Sequence, residues 1–301
     1  MPGKANKNAA ASQLAFDIVN YAIFGMLMFL CLYPFWYIFV YSISDSLQAI
    51  KGVTLLPRGL TLTNYADVFK YPGLPLAAVI SVLRTVIGTA LTVLCCSFFA
   101  YLMTKRQMYL RKFIYRMLVI TMYLNAGLIP WYLVLRAYGF AGNPLVYIVP
   151  SALSAYYVIL IKTFIEQLPA SLEEAALIDG AGYITIYARV ILPLSIPIVA
   201  TIIVFAAVGQ WNSWFDNLIF MTGADASRYN TLQLMLWQII NRASTISTTI
   251  DTATAEQLAK RVTPSTIRMT VTMIVTFPVL FVYPFAQRFF IKGLVVGAIK
   301  G

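Results

Sequence analysis

Glu173 and Glu174 stand side by side in the stretch SLEEAALIDGAGYITIYARVILP at 171–193. Adjacent carboxylates are common material for a metal site or for general acid–base work. Neither chemistry finds its partners here. The chain has no histidine, which removes imidazole catalysis, imidazole ligation and the usual physiological-pH switch. Cys31, Cys95 and Cys96 lie inside apolar runs with no ligand or disulfide spacing, and read as small core residues. No acid is placed to complete a metal site, and no GxxxxGK[ST] phosphate loop occurs, so no cofactor is expected on this chain. The spacing instead supports local structure. Ser171 followed three residues later by Glu174 is a capping-box pattern, after a proline at 169 that discourages continuation of what precedes it. The two glutamates fall in a first turn, where the helix dipole favours acids. Ala175 and Ala176 add helix propensity, and Gly180 and Gly182 end the helix. A second short helix is expected from about Tyr183 to Ile191, ahead of Pro193. Small alanines and a glycine turn would let another surface approach closely; an ordinary structured loop would carry the same pattern.

The elements that must hold this stretch are apolar. Of 301 residues, 60% are hydrophobic and 11% charged; mean hydropathy is +0.78. Soluble domains carry about twice that share of charge. The net charge of +11 could suggest nucleic acid, but the basic residues flank apolar runs instead of forming a stripe, so a membrane is the expected partner and nucleic acid is not. A span needs about 20 apolar residues. Six are expected, at about 16–42, 75–104, 113–135, 143–165, 194–221 and 267–291, giving an all-α integral membrane chain of one domain over 1–301 with a polar loop at 166–193. The first run is uncharged over 18–44, too long for a signal-peptide core, and reads as a retained span. Only residues 2–12 have the composition of a disordered segment.

Total Lys and Arg barely separate the two faces, but short loops carry the orientation signal. KRQMYLRK at 105–112 holds four basic residues, whereas the short connection 136–142 holds Arg136 alone. Both termini are therefore expected on the cytoplasmic side, and the 171–193 stretch with them.

Glu174-Ala175-Ala176, Gly180 three residues on, and Val190-x-Leu192-Pro193 nine residues later resemble the EAA loop of ABC importer permeases. Val190 stands where that pattern has isoleucine. The resemblance implies a type I permease fold in which this loop is a coupling helix docking onto an ATPase subunit. Carried over position by position, the coupling residues are Glu173, Glu174, Ala175, Ala176, Asp179, Gly180, Leu192 and Pro193. ATP and Mg2+ would then belong to the partner ATPase. TLTNYADVF at 61–69, GLIPWYLVL at 127–135, QWNSWFDNLIFM at 210–221 and KGLVVGAIKG at 292–301 look like carbohydrate importer permeases of the polysaccharide type. That subgroup handles oligosaccharides, acidic ones from alginate or pectin included. The implied partners are a second homologous permease, two ATPase subunits and an extracytoplasmic solute-binding protein.

Candidate path residues follow from polar and aromatic groups at membrane depth. Gln210, Trp211, Asn212, Ser213 and Trp214 interrupt the fifth span with amides, a hydroxyl and two indoles, which suit sugar hydroxyls and faces, and Asp216 follows them; the alternative is an interfacial aromatic belt. Ser151, Ser154, Tyr156 and Tyr157 follow Pro150 in the fourth, where a kinked wall and simple close packing are both open. Asn125 and Trp131 in the third are of the same kind. Arg84 and Arg116 could pair with a uronate, but the simpler reading is snorkelling towards headgroups. The long loop 222–266, with a polar helix expected at 251–261, would suit contact with the binding protein. Two other classes stay open at this point: a membrane-embedded transferase, and a secondary carrier, although carriers bury ionisable groups and these spans show almost none. An ABC permease for a non-sugar solute is the third alternative.

Overall fold

The computed structural model describes residues 4–223, 226–245 and 263–298. Among these the secondary structure is helical throughout, apart from one isolated antiparallel bridge between Ser44 and Leu60. The chain divides into two compact units, Met1–Lys70 with Ala243–Ile274, and Tyr71–Arg242 with Val275–Gly301.

The first unit is built on the helix Lys4–Ser42. Residues 4–12 are helical, contrary to the expected disorder, because the span simply extends N-terminally through alanine-rich sequence. Its apolar side chains from Leu14 to Trp36, Cys31 among them, are almost all exposed, as on a helix that lipid surrounds. Below it, Val40, Tyr41, Ala49 and Val53 form a small core. Buried Asn64 ties the descending chain together, donating to the Ser42 and Ser44 carbonyls at 2.9 and 2.7 Å and accepting from the Ser46 hydroxyl at 3.0 Å. That accounts for the asparagine in TLTNYADVF.

The second unit is organised by the helix Leu74–Thr104. Ala77, Ser81, Gly88, Thr92, Cys96 and Ala100 recur on its buried face at intervals of four, with one step of seven from Ser81 to Gly88. Small residues so spaced let helices approach closely in lipid, where no hydrophobic effect drives them together. The helices Ala155–Ile165 and Ile196–Asn212 pack against this face, around a core of Cys96, Tyr101, Val158, Ile161, Ile186 and Ile202. Cys96 is thus the small core residue expected of it, whereas Cys31 faces outward.

Three of the expected spans are interrupted. The segment at 113–135 is two helices, Arg111–Tyr123 and Leu128–Ala137. Asn125 breaks it, its side-chain oxygen accepting the Gly127 N–H at 2.9 Å, and Gly127 takes a φ of 84° that glycine alone adopts freely. The segment at 143–165 begins as a single 3₁₀ turn, Pro144–Tyr147, and becomes helical only at Ala155–Ile165. The segment at 194–221 opens at Ile196, stops at Asn212 and resumes at Phe215–Phe220. By length and composition, 12–42, Leu74–Thr104 and 264–282 can each cross a membrane, and the pair Tyr183–Leu194 and Ile196–Asn212, bent by 83°, passes together. The long loop contains a helix that its sequence position hid, Leu232–Thr245, begun by the Thr231 hydroxyl, which accepts the Leu234 N–H at 3.3 Å. The polar helix expected at 251–261 lies outside the described residues, as does the end of the tail at 299–301.

Candidate functional site

The 171–193 stretch forms two helical pieces around a glycine turn. The first, Ala170–Ile178, is preceded by extended Pro169, so Ser171 lies in its first turn and the expected capping box is not made. Proline at 169 sets the start two residues earlier than the box would. The C-terminal end is a Schellman closure. Gly180, with φ 79°, donates to the Leu177 carbonyl, and the Ala181 N–H reaches Ala176, both at 3.0 Å. Gly182 is extended and opens the next helix instead of closing this one. Within Tyr183–Leu194 the turn Tyr187–Ile191 widens to a π-helix. Pro193 has no N–H to offer four residues back, which removes one of the bonds that would hold a regular turn.

Glu174, Ala175, Asp179, Gly180 and Pro193 are exposed, and so are Leu172, Leu177, Tyr183, Ile178 at 86% and Ile184 at 72%. Ala176 and Leu192 are half-buried against the core. Glu173 turns inward to an ion pair with Lys105, the residue that ends the helix Leu74–Thr104. The Lys105 ammonium also lies 4.0 Å from the centre of the Tyr101 ring. Tyr101 in turn packs on Tyr187, whose hydroxyl is 2.7 Å from that of Ser97. Both pieces of the exposed stretch are therefore fastened to one long helix.

About 30 Å along that helix, by its rise of about 1.5 Å per residue, Arg84 occupies the same small-residue face. It is 4% exposed, not snorkelling as expected. Its guanidinium pairs bidentately with Asp216, donates to Gln210 Oε1 at 3.1 Å and to the Ser213 carbonyl at 3.3 Å, and sits 4.5 Å from the centre of the Tyr147 ring. The Ser213 hydroxyl and the Asn217 N–H also donate to Asp216, at 3.1 and 2.8 Å. Gln210 donates onward to the Ser151 hydroxyl at 2.8 Å. Gly88 makes room for that amide: a β-carbon there would come within 2.7 Å of Gln210 Cδ. Arg84, Asp216, Gln210, Ser213, Tyr147 and Ser151 line a cavity of about 260 Å³ with Thr92, Trp131 and Tyr157. Its one cation and one anion satisfy each other, leaving a neutral surface of aromatic faces, hydroxyls and amides.

Of the residues singled out in sequence, Trp131 lines this cavity. Asn125 makes the turn described above. Ser154 precedes Ala155–Ile165 and donates its N–H to Cys96 Sγ at 3.3 Å; Tyr156 is exposed where its neighbour Tyr157 lines the cavity. Trp211 faces an apolar groove of about 200 Å³ and donates Nε1 to the Val275 carbonyl at 2.9 Å. Asn212 is exposed, and Trp214 stacks on Trp237 at 5.0 Å. Gln210, Ser151, Tyr157 and Asp216 are polar candidates of the fourth and fifth spans that the cavity also brings together; sequence reasoning missed Tyr147 and the convergence of all of them on Arg84. One signal was available: an arginine standing on a stripe of small residues points into a bundle and needs a carboxylate there.

No family profile matches the chain. Protein LplC of Bacillus subtilis (strain 168) is 33% identical over 287 residues, 95% of each chain. The polygalacturonan/rhamnogalacturonan transport system permease protein YtcP of the same organism is 32% identical over 287 residues, 95% of this chain and 98% of its own. Among solved structures, a bacterial ABC transporter involved in the import of the acidic polysaccharide alginate superposes with a TM-score of 0.83 at 28% identity, covering 93% of this chain and 98% of that one.

Proposed function

The chain belongs to the carbohydrate ABC transporter permeases, and on that premise we propose that it is one half of an inner-membrane import path for oligosaccharides or polysaccharide fragments, acidic ones included. It is a transport subunit and not an enzyme. ATP and Mg2+ are the business of a separate ATPase, present in two copies, with a second homologous permease and an extracytoplasmic solute-binding protein completing the importer. The chain crosses the membrane six times with both termini in the cytoplasm. Glu174, Ala175, Asp179 and Gly180, with the exposed apolar side chains around them, form the face that enters the ATPase.

One observation carries this reading: the exposed helix Ala170–Ile178 is joined through Glu173 and Lys105 to the helix that bears Arg84 at the cavity. A rigid helix with a contact at each end can pass a displacement between them, because packed elements move as bodies and not as fluids. ATP binding draws the two coupling helices together and opens the bundle outward; hydrolysis returns it to face inward. Family membership sets aside the embedded enzyme and the self-contained carrier. The buried ionisable pair that a carrier would need does exist here, but it is internally neutralised.

The experiment is purification of the tagged chain from its native membranes in mild detergent, with mass spectrometry of what accompanies it. Recovery of an ATPase and a second permease in comparable amounts is expected. A homo-oligomer without an ATPase would refute the coupling face. The co-purified binding protein, titrated with neutral oligosaccharides and with oligogalacturonates, then reports the cargo class.

A further inference from the structure

At the end of Leu74–Thr104 away from Arg84, the short 105–112 connection and the start of Arg111–Tyr123 enclose a cleft of about 660 Å³. Arg106, Arg111, Lys112 and Arg116 line it with Leu110 and Phe113, and no carboxylate is among its lining residues. The ion pairs of the described residues involve none of these four cations. Arg111 donates to the Thr104 carbonyl at 3.4 Å, which neutralises nothing.

Two further features compound this imbalance. Leu110 has a φ of 56°, the left-handed region, and among the described residues no other non-glycine shares it. The strained residue precedes a 13-residue helix that has no side-chain cap and no acid in its first turn, but two cations instead. Helix N-termini favour negative charge, so this arrangement works against the dipole until an anion from outside arrives. Strain and like charge held together in a cleft are the ordinary marks of a binding site.

The surroundings select the anion. Lys105 adjoins the cleft and pairs with Glu173, so the cleft lies at the polar end of a helix of 31 residues, long enough to cross the hydrocarbon core and reach the headgroup level. Phe113, Met117 and Ile120 are exposed along Arg111–Tyr123 at intervals of four and three, one apolar stripe leading away from the cations. A free phosphate would satisfy the charge and leave the stripe bare. An acidic protein surface would do the same. An anionic phospholipid satisfies both, its phosphodiester between the guanidinium and ammonium groups and its acyl chains along the stripe. We propose that this cleft is a binding site for an anionic phospholipid, held by Arg106, Lys112 and Arg116.

The test uses the whole importer, purified in detergent and titrated with dioleoylphosphatidylglycerol, with dioleoylphosphatidylcholine for comparison, under native mass spectrometry. Phosphatidylglycerol is expected to be retained in preference. Each of Arg106→Gln, Lys112→Gln and Arg116→Gln should weaken that retention about fivefold, and the triple variant about a hundredfold, as expected for one surface cation each. Glycerol phosphate at millimolar concentration should not displace the lipid. Phe113→Ser with Met117→Ser keeps every charge and should also weaken retention, so the site remains testable if the triple variant does not assemble. Equal retention by the wild type and the variants would overturn the proposal. So would displacement by glycerol phosphate, which would make the site one for a free anion. Loss of the ATPase subunit with lipid retention intact would assign the cleft to a protein partner and overturn it likewise.

Discussion

Among the described residues, Arg84 and Asp216 are each other's only counter-charge in a buried setting, with side chains 3% and 14% exposed. Removing one partner strands the other, and breaking such pairs costs about 3–5 kcal/mol, whereas replacing both with apolar residues of similar size is often close to neutral. Asp216→Asn is therefore expected to lower the melting temperature of the purified importer sharply, and Arg84→Met with Asp216→Leu to restore most of it. If the double variant melts no higher than Asp216→Asn, the pair is not the source of the loss. The pairing also bears on cargo. A uronate carboxylate reaching Arg84 would have to displace an internal carboxylate that already makes a bidentate contact, so selection of acidic sugars does not come from a free arginine at this position. Gly88→Ala tests the same cluster by volume. Its β-carbon would crowd Gln210, and overpacking of this sort costs about 1–3 kcal/mol; an unchanged melting temperature would mean that the amide moves aside freely.

Among the elements, the glycine turn separates local from assembly effects. A β-carbon at Gly180 meets no atom within 4 Å in the isolated chain, but the backbone there is left-handed. Gly180→Ala should thus cost the chain about 1–2 kcal/mol through backbone strain alone. Gly180→Arg adds bulk on the exposed side, and is expected to abolish uptake and coupled ATP hydrolysis while leaving membrane insertion intact. Normal uptake by Gly180→Arg would contradict docking at this face. The breaks in the apolar segments are equally local in origin. Asn125 and Gly127 stop one helix and Pro150 lies in the irregular stretch before another, so these signals were present in the chain. Pro150 already points to a kink; Asn125 and Gly127 are harder to weigh, because they sit inside an apolar run long enough to span as one helix.

For the whole molecule, the proposed coupling helix Ala170–Ile178 and the cavity are both tied to one helix, Leu74–Thr104. Lys105→Gln or Glu173→Gln removes the contact at one end without touching the cavity. Each is expected to lower transport per ATP hydrolysed in proteoliposomes about tenfold, within the 1–3 kcal/mol usual for coupling between sites. ATP affinity and assembly should change little. Exchanging the charges, Lys105→Glu with Glu173→Lys, should recover a large part of the loss. A fall in assembly that matches the fall in transport would reduce the pair to a structural tie.

The amino-acid sequence by itself determined the all-helical membrane class, the position of the exposed helix and glycine turn within 171–193 and the helix Leu74–Thr104 almost to the residue. These rest on composition, on uninterrupted apolar length and on motifs contiguous in the chain, none of which needs a partner from elsewhere. Ser171 shows the limit of even local patterns, since a proline two residues away decided where the helix began. The cavity belongs to the other class. Arg84 and Asp216 are 132 residues apart, and Lys105 and Glu173 are 68 apart. Read singly, Arg84 is a cation reaching for a headgroup, and Trp211 is a better candidate for a sugar than Trp131. Only tertiary packing decided which polar group is buried opposite which. An ionised side chain is tolerated inside a bundle when folding brings its counter-charge to it, and one chain position carries no record of what faces it.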